Sequence, residues 1–494
     1  MSREERSEPR RLSGEDAIFV YAETPSMPMH TMGTLILDPS EVPGGFGYRQ
    51  VLETIEARIH RIPPFRQRLL EIPFGLGHPL MVDDPQFRLE NHLHRIAVPA
   101  PGTLRELALV VGDLAGRPLE RSQPLWEMWV VEGLEGGRLA LVTKLHHSML
   151  DGASGATQMA QLLDLEQSAV PPPAPRWNPA PLPSALARAR RSLASRLVDP
   201  LALGRLVVQT VRGVLRRRRV EQELHRDEEA AAPWFADAHS PFGGALTTHR
   251  CVAYGSASLD DVKRIKTAFE VTVNDVVLAA CALSVRRYLE RRGELPERRL
   301  RCAVPVSMKS EREKAEFSNK VSLMNISLPM DEDDSEAVVH AVRRETEDAK
   351  RVFAAIEGDL LSQWLELVPP LLTTFGARLF SALRLADRLP SATNLVISNV
   401  KGPPIPLYFG GARVLAIYPM GPVGEGVGLN ITVLSNMGRL DIGVMTCREV
   451  LPEAEEIAEG FADAVAELLR VAEKKAERPV PARGRGGRRR SGRH

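Results

Sequence analysis

Leu139-Ala140-Leu141-Val142-Thr143-Lys144-Leu145-His146-His147-Ser148-Met149-Leu150-Asp151-Gly152 is the stretch that decides how this chain reads. It begins as a strand, filled with apolar and β-favouring residues, and the strand ends at two adjacent histidines. A short link then leads to an aspartate and a glycine, a turn-type pair. Nowhere else does the chain gather so much acid–base chemistry in so few residues. Neighbouring residues on a strand point to opposite faces. His147 therefore shares a face with Leu145, Thr143 and Leu141, and His146 with Lys144 and Val142. Two histidines so placed do not readily bind one metal ion. Asp151 alone is a poor third ligand and no His-x-x-x-His or cysteine partner lies nearby, so no metal site is expected. Two readings remain. In one, a histidine with an ordinary pKa of about 6.5 faces a cavity as a general base and the other fixes the loop. In the other, both are packed histidines at a strand end. Spacing alone does not say which face holds substrate. Asp151 is placed to order the loop through an arginine or backbone amides, and Gly152 lets the chain turn where a substrate approaches closely.

Working outward, Leu125–Val131 is the strand that pairs with Leu139–His147 around the turn Glu135-Gly136-Gly137, and Ala153–Leu165 reads as a helix. Upstream, Ser13 caps a short helix to Glu23. His30–Asp38 is a strand and Tyr48–Ile62 a helix ending at Pro63-Pro64, with short strands at 65–70, 79–82 and 95–98 and a helix at 103–116. Downstream the composition changes. Residues 171–183 form a proline-rich linker, and 184–225 an Arg- and Leu-rich helical region interrupted at Pro200. That region fits an interdomain helix with a solvated basic face, and it also fits a segment lying on an anionic bilayer. Strands and helices then alternate from His249 to Lys475, with Asn274-Asp275 near the start of a long helix over 272–292.

The chain has 494 residues, too many for one ordinary core, so two or more domains are expected. Its 64 Lys+Arg against 63 Asp+Glu give no global argument for a nucleic-acid partner. Four cysteines lie far apart, which suggests a reducing compartment and no disulfide framework. The charged start lacks the apolar core of a signal peptide, and no window of about 20 apolar residues exists. The fold class read from this pattern is α/β, in two similar-sized halves. The divisions are a disordered leader (1–11), an N-terminal domain (12–168), a Pro-rich and basic helical linker (169–245), a C-terminal domain (246–475) and a disordered basic tail (476–494). There is no Gly-x-Ser-x-Gly, P-loop or dinucleotide fingerprint. A lone histidine base suits direct attack of a hydroxyl or amine on an activated acyl group.

His146-His147-Ser148-Met149-Leu150-Asp151-Gly152 resembles the HHxxxDG motif of CoA-dependent acyltransferases and peptide-synthetase condensation domains. Leu12-Ser-Gly-Glu-Asp-Ala-Ile-Phe19, Glu23-Thr-Pro-Ser-Met-Pro-Met-His30 and Pro118–Glu127, with its Pro124-Leu125-Trp126, resemble segments of bacterial wax ester synthase/diacylglycerol acyltransferases. So do Val271–Ala279, Ser398-Asn-Val-Lys-Gly-Pro403 and Gly428-Leu-Asn-Ile-Thr432. The resemblance spans about residues 12–470. It implies two chloramphenicol-acetyltransferase-like domains with the site between them. It implies transfer of a long-chain acyl group from acyl-CoA, as co-substrate and with no separate cofactor, to diacylglycerol or a long-chain alcohol. It also implies that His147 is the general base, that His146, Asp151 and Gly152 shape its loop, that Asn274 and Asp275 support the site, and that Pro124, Leu125 and Trp126 are architectural. No nucleic-acid partner is expected; the expected location is cytoplasmic, peripheral on the inner membrane face or on lipid bodies. Pro305-Val-Ser-Met-Lys309, Lys401 and Tyr418-Pro-Met-Gly-Pro422 depart from the family pattern and bear on CoA or acceptor binding. The competing readings are a condensation-type transferase using a carrier-bound acyl donor and a non-catalytic lipid-binding protein of the same fold.

Overall fold

The structure is a computed structural model that describes residues 9–149, 159–168, 177–195, 200–224, 240–297, 299–307, 321–355, 360–367 and 369–477. The expected leader up to residue 8, the tail from 478, much of the helix over 153–165, and Lys309 of the departing Pro305–Lys309 segment lie outside the described residues.

Local sequence sets the first elements. β1 (Arg10–Arg11) precedes α1 (Gly14–Ala22), whose N-cap Ser13 accepts the Asp16 amide at 3.1 Å. Arg10 and Arg11, expected in a disordered leader, instead pair with Met81 and Leu80. A two-residue strand is too short to show in a sequence pattern. Next come β2 (His30–Asp38), α2 (Tyr48–Arg58), β3 (Gln67–Leu70), β4 (Leu80–Asp83), β5 (Leu93–Ala97) and α3 (Leu104–Ala115). In α3, Thr103 and Glu106 form a capping box, the Thr103 amide donating to Glu106 at 2.8 Å. β6 (Trp126–Glu132) and β7 (Leu139–His146) follow as an antiparallel pair.

The second half supplies β8 (Arg250–Ser258), β9 (Leu300–Ser307), β10 (Val321–Leu328), β11 (Leu395–Val400), β12 (Tyr408–Phe409), β13 (Ala412–Met420), β14 (Leu429–Asn436) and β15 (Arg439–Cys447). Two six-stranded sheets result, ordered β12-β13-β2-β7-β6-β5 and β10-β9-β11-β14-β15-β8, beside a three-stranded β1-β4-β3. The fold is therefore α/β, built on two six-stranded sheets. The sheets do not divide where the chain does. β13 comes from the stretch assigned to the C-terminal half, yet it pairs antiparallel with β2, Tyr418 opposite Thr34 and Pro419 opposite Gly33. Alternation in a sequence marks a strand but not its partner.

β7 lies inside the first sheet and every one of its residues is buried. Leu139, Leu141 and Leu145 enter a core with Ala17, Val51 and Ile55. Ala140 and Val142 enter another with Leu107 and Val111 of α3 and with Val252, Tyr418 and Met445. A strand covered on both faces reads as a near-continuous apolar run. The parts built around the two six-stranded sheets meet at backbone distance. A Cβ on Gly116 would lie 2.4 Å from the Thr248 carbonyl oxygen, and one on Gly443 would lie 2.1 Å from that of Pro419. The Ile417 amide donates across the junction to Asp441 at 2.9 Å.

In the middle segment, helices run over Ala185–Ser195 and Pro200–Leu224. Pro200 opens the second helix, a position where its missing N–H costs nothing. That helix is seated on the protein through buried Leu206 and through Thr210, which accepts the Trp364 indole N–H at 2.9 Å. Among the described residues no single helix is long and apolar enough to cross a membrane.

Candidate active site

β7 stops at His146, one residue before the expected end, and His147–Met149 turn as a short 3-10 helix. The main chain is fixed on both sides of this change. The His146 amide donates to the Leu125 carbonyl at 2.9 Å, and the His147 amide donates to the Met29 carbonyl at 2.8 Å. The two histidines are thereby given unlike surroundings.

His146 is buried. Its Nδ1 accepts the Ser148 amide at 3.2 Å and lies 2.7 Å from the Ser148 hydroxyl. With Nδ1 accepting, the hydrogen-bond pattern assigns the ring proton to Nε2, which lies 3.6 Å from Glu23 Oε1. Glu23 caps the end of α1 and receives Arg121 Nη2 at 2.5 Å and Nε at 3.1 Å. Burial alone raises a carboxyl pKa, but His146 and Arg121 outweigh it and hold Glu23 at about 2. Arg121–Glu23–His146–Ser148 is thus a continuous charged and hydrogen-bonded brace behind the turn.

His147 is half-buried. Phe19 of α1 stacks on its ring, with centroids 4.0 Å apart and planes at 18°. The ring plane is set by α1 and the backbone by β7 and the Met29 loop.

Beneath the pair, on the same face as His146, Lys144 is fully buried, with Nζ 3.6 Å from Glu127 Oε2 and 5.6 Å from the centre of the Trp129 ring. Burial pulls its pKa down to about 8. Opposite His146 on β2, His30 donates from Nε2 to the Ala115 carbonyl at 2.8 Å. Burial, and then Lys144, hold its pKa well below the usual histidine value.

Pro124, Leu125 and Trp126 are buried. The Trp126 indole donates to the Phe65 carbonyl at 2.8 Å, and its ring packs between Phe65 at 4.7 Å and His92 at 4.6 Å. This anchor places the Leu125 carbonyl that receives His146. The structure therefore brings Pro124-Leu125-Trp126 and the histidine pair together. Asn274 and Asp275 sit elsewhere, at the start of the helix Val273–Arg292. Asp275 closes a capping box with Thr272, accepting its amide at 2.9 Å, and takes the Thr346 hydroxyl at 2.9 Å. Asn274 Oδ1 accepts from Asn399 Nδ2 at 3.3 Å, which joins the Asn274-Asp275 motif to the Ser398–Pro403 motif. None of these partners belongs to the histidine turn. Asp151 and Gly152 lie outside the described residues. Among the described residues no group of three His, Cys, Asp or Glu is placed to hold a metal ion.

Phe19, Glu23 and Arg121 were not singled out by the sequence. All three fall in segments that carry the family resemblance, but a pairing across 98 residues leaves no local signal.

The two-sheet fold is of the chloramphenicol-acetyltransferase-like class that its solved neighbours share. Residues 12–277 match the wax ester synthase/diacylglycerol acyltransferase catalytic domain, and 317–469 match the WS/DGAT C-terminal domain. The chain belongs to this family. It is 37% identical over 475 residues to a Mycobacterium tuberculosis protein (strain CDC 1551) named as a diacylglycerol O-acyltransferase, covering 94% of this chain and 91% of that one. A second protein so named from that strain is 36% identical over 471 residues, covering 94% and 98%. The solved wax ester synthase/diacylglycerol acyltransferase of Marinobacter aquaeolei VT8 superposes with a TM-score of 0.67 at 26% identity, over 94% of this chain and 100% of that one. The first condensation domain of the CDA synthetase, at 16% identity and a TM-score of 0.59 over 94% and 96%, shares the fold alone. The protein is an acyltransferase of this family, whose name covers transfer to diacylglycerol or to an alcohol.

Proposed function

We propose that the acyl donor is a long-chain acyl-CoA and that His147 is the general base of a direct transfer. The observation that carries this is the asymmetry of the pair. His146 is buried, with Nδ1 committed to the turn and Nε2 facing Glu23, whereas His147 is half-buried with its ring oriented by Phe19. A histidine titrating near neutral pH is suited to take a proton from an alcohol as its oxygen attacks a thioester.

The hydroxyl oxygen forms a bond to the thioester carbonyl carbon while its proton passes to His147. The tetrahedral oxyanion collapses, the C–S bond breaks, and the CoA thiolate takes that proton from His147. Ester and free CoA leave, and no acyl-enzyme forms. Holding both substrates in line supplies much of the rate. The His146 brace keeps the turn in place, Asp151 and Gly152 keep the loop-shaping role that the motif implies, and Asn274 and Asp275 stabilise the opposite layer. Peripheral attachment to the cytoplasmic membrane face or to lipid bodies follows from the nature of the acceptor and product; no nucleic-acid partner is part of this reading. Incubation with labelled palmitoyl-CoA and either diolein or hexadecanol tests the proposal. Triacylglycerol or wax ester must form in step with CoA release; CoA release without ester, or acyl transfer only from a carrier-bound thioester, would rule it out.

A further inference from the structure

The helix Pro370–Ala382 is amphipathic in the reverse sense for a surface helix. Pro370 is its only buried residue. On its inner side Ala377 and Phe380 are half-buried, and the Ser381 hydroxyl donates to Glu425 at 2.8 Å and lies 3.0 Å from that of Ser26. Most of its large apolar side chains face outward. Leu371, Leu372, Phe375 and Leu379 are 60%, 65%, 66% and 42% exposed, and Leu383 just beyond it 54%. Residues 371, 375 and 379 follow helical spacing, so they form one stripe.

A second feature points the same way. Phe74 is held in the left-handed region at φ 59° and is 83% exposed. Backbone strain that presents a bare phenyl ring to solvent persists only where the surroundings impose it. The neighbouring Gly75 lies against Leu371, whose Cγ would be 2.6 Å from an added Cβ, so Phe74 borders the stripe. Contiguous exposed apolar surface of this kind marks an interaction site.

Charge decides the partner. Between 370 and 390 the chain carries Arg378, Arg384 and Arg388 against one acid, Asp387, and that acid is taken up by Arg384 at 2.8 Å and the Ala245 amide at 2.7 Å. Apolar residues flanked by arginines match a bilayer interface with anionic headgroups. The position fits an acceptor that partitions into lipid. The preceding helix Leu360–Leu367 packs at backbone distance on Gly14 of α1, and α1 carries the Phe19 that stacks on His147.

We propose that the stripe Leu371–Leu383, with Phe74 beside it, seats the protein on an anionic lipid surface and places α1 and the His147 turn next to the lipid from which the acceptor enters. This rests on the reading of the chain as an acyltransferase of lipid acceptors. The basic helix Pro200–Leu224 also exposes Val207, Val211 and Leu215 at helical spacing, and it is therefore the comparison surface in the test.

Flotation of the full chain with vesicles of phosphatidylcholine, with and without phosphatidylglycerol, tests it. Three proteins are compared: wild type, Phe375→Ser/Leu379→Ser, and Val207→Ser/Val211→Ser. Wild type floats with the phosphatidylglycerol vesicles, the first variant binds them roughly tenfold less or weaker still, and the second binds as wild type does. Because all four side chains are exposed, unchanged circular dichroism accompanies these results. Wild type that does not float, a first variant that floats like wild type, or a loss confined to the second variant overturns the proposal. So does a lipid-free dimer that the first variant converts to monomer, which would make the stripe a contact between copies. CoA release with hexanol, an acceptor that needs no membrane, separates the two readings. A docking variant retains it, whereas its absence in wild type counts against the catalytic reading and leaves the flotation result to judge the surface.

Discussion

Glu23→Gln removes the charge at the centre of the brace while nearly preserving its shape. In the native protein the Glu23 side chain is 10% exposed, Arg121 donates to it twice, and His146 Nε2 lies 3.6 Å away. Its pKa falls from 4.5 to about 2. At 1.36 kcal/mol per tenfold change that corresponds to about 3 kcal/mol. The Arg121 side chain is 41% exposed, and solvent screening lowers the figure to about 2 kcal/mol. The sign follows from the direction. A carboxyl with a depressed native pKa stabilises above its unfolded value and loses that contribution as pH falls towards about 2. Urea unfolding at pH 7 should therefore show Glu23→Gln less stable by about 2 kcal/mol, with the gap to wild type closing progressively below about pH 4.5. Turnover should fall as well, because His146 loses the anion facing its Nε2 and the turn bearing His147 is less firmly held. A gap under about 0.5 kcal/mol at pH 7, or one that stays constant down to pH 3, would refute the reasoning.

Lys144→Met should raise stability at pH 7 by about 1–2 kcal/mol, since a buried ammonium with one partner at 3.6 Å costs more than a thioether of similar length; thermal unfolding measures it. Wild type should itself gain stability from about pH 8 towards 10.5, where the unfolded lysine still holds its proton and the native one has released it. Trp126→Phe should cost about 2–3 kcal/mol, because the Phe65 carbonyl loses its indole donor inside a packed ring stack; urea midpoints read it directly. Asp275→Ala should cost about 1–2 kcal/mol by removing the acceptor for the Thr272 amide and the Thr346 hydroxyl, and hydrogen exchange should rise first in the opening turn of the Val273–Arg292 helix.

Local pattern carried most of the elements. The apolar run of β7, the Ser13 and Thr103 caps and the long helix after Thr272 are each set by residues within a few positions of one another. Long-range choices were not legible. β13 reads as a strand, but nothing in Ala412–Met420 says that it joins β2 of the other half. The histidine pair stands out by composition, and strand alternation puts Lys144 on the His146 side, where both charges act on the buried His30. The brace did not stand out. Arg121 and Glu23 are ordinary surface residue types until the fold brings them together under His146. Pro200 reads as an interruption in the sequence because proline marks both breaks and first turns, and only the chain around it decides.

The central claim is that His147, and not its neighbour, moves the proton. The most direct test is the CoA-release rate of His147→Ala, measured with palmitoyl-CoA and diolein or hexadecanol on protein whose unfolding midpoint matches wild type. The account predicts a loss on the order of a hundredfold to ten-thousandfold. Turnover within about threefold of wild type in a folded His147→Ala protein would contradict it.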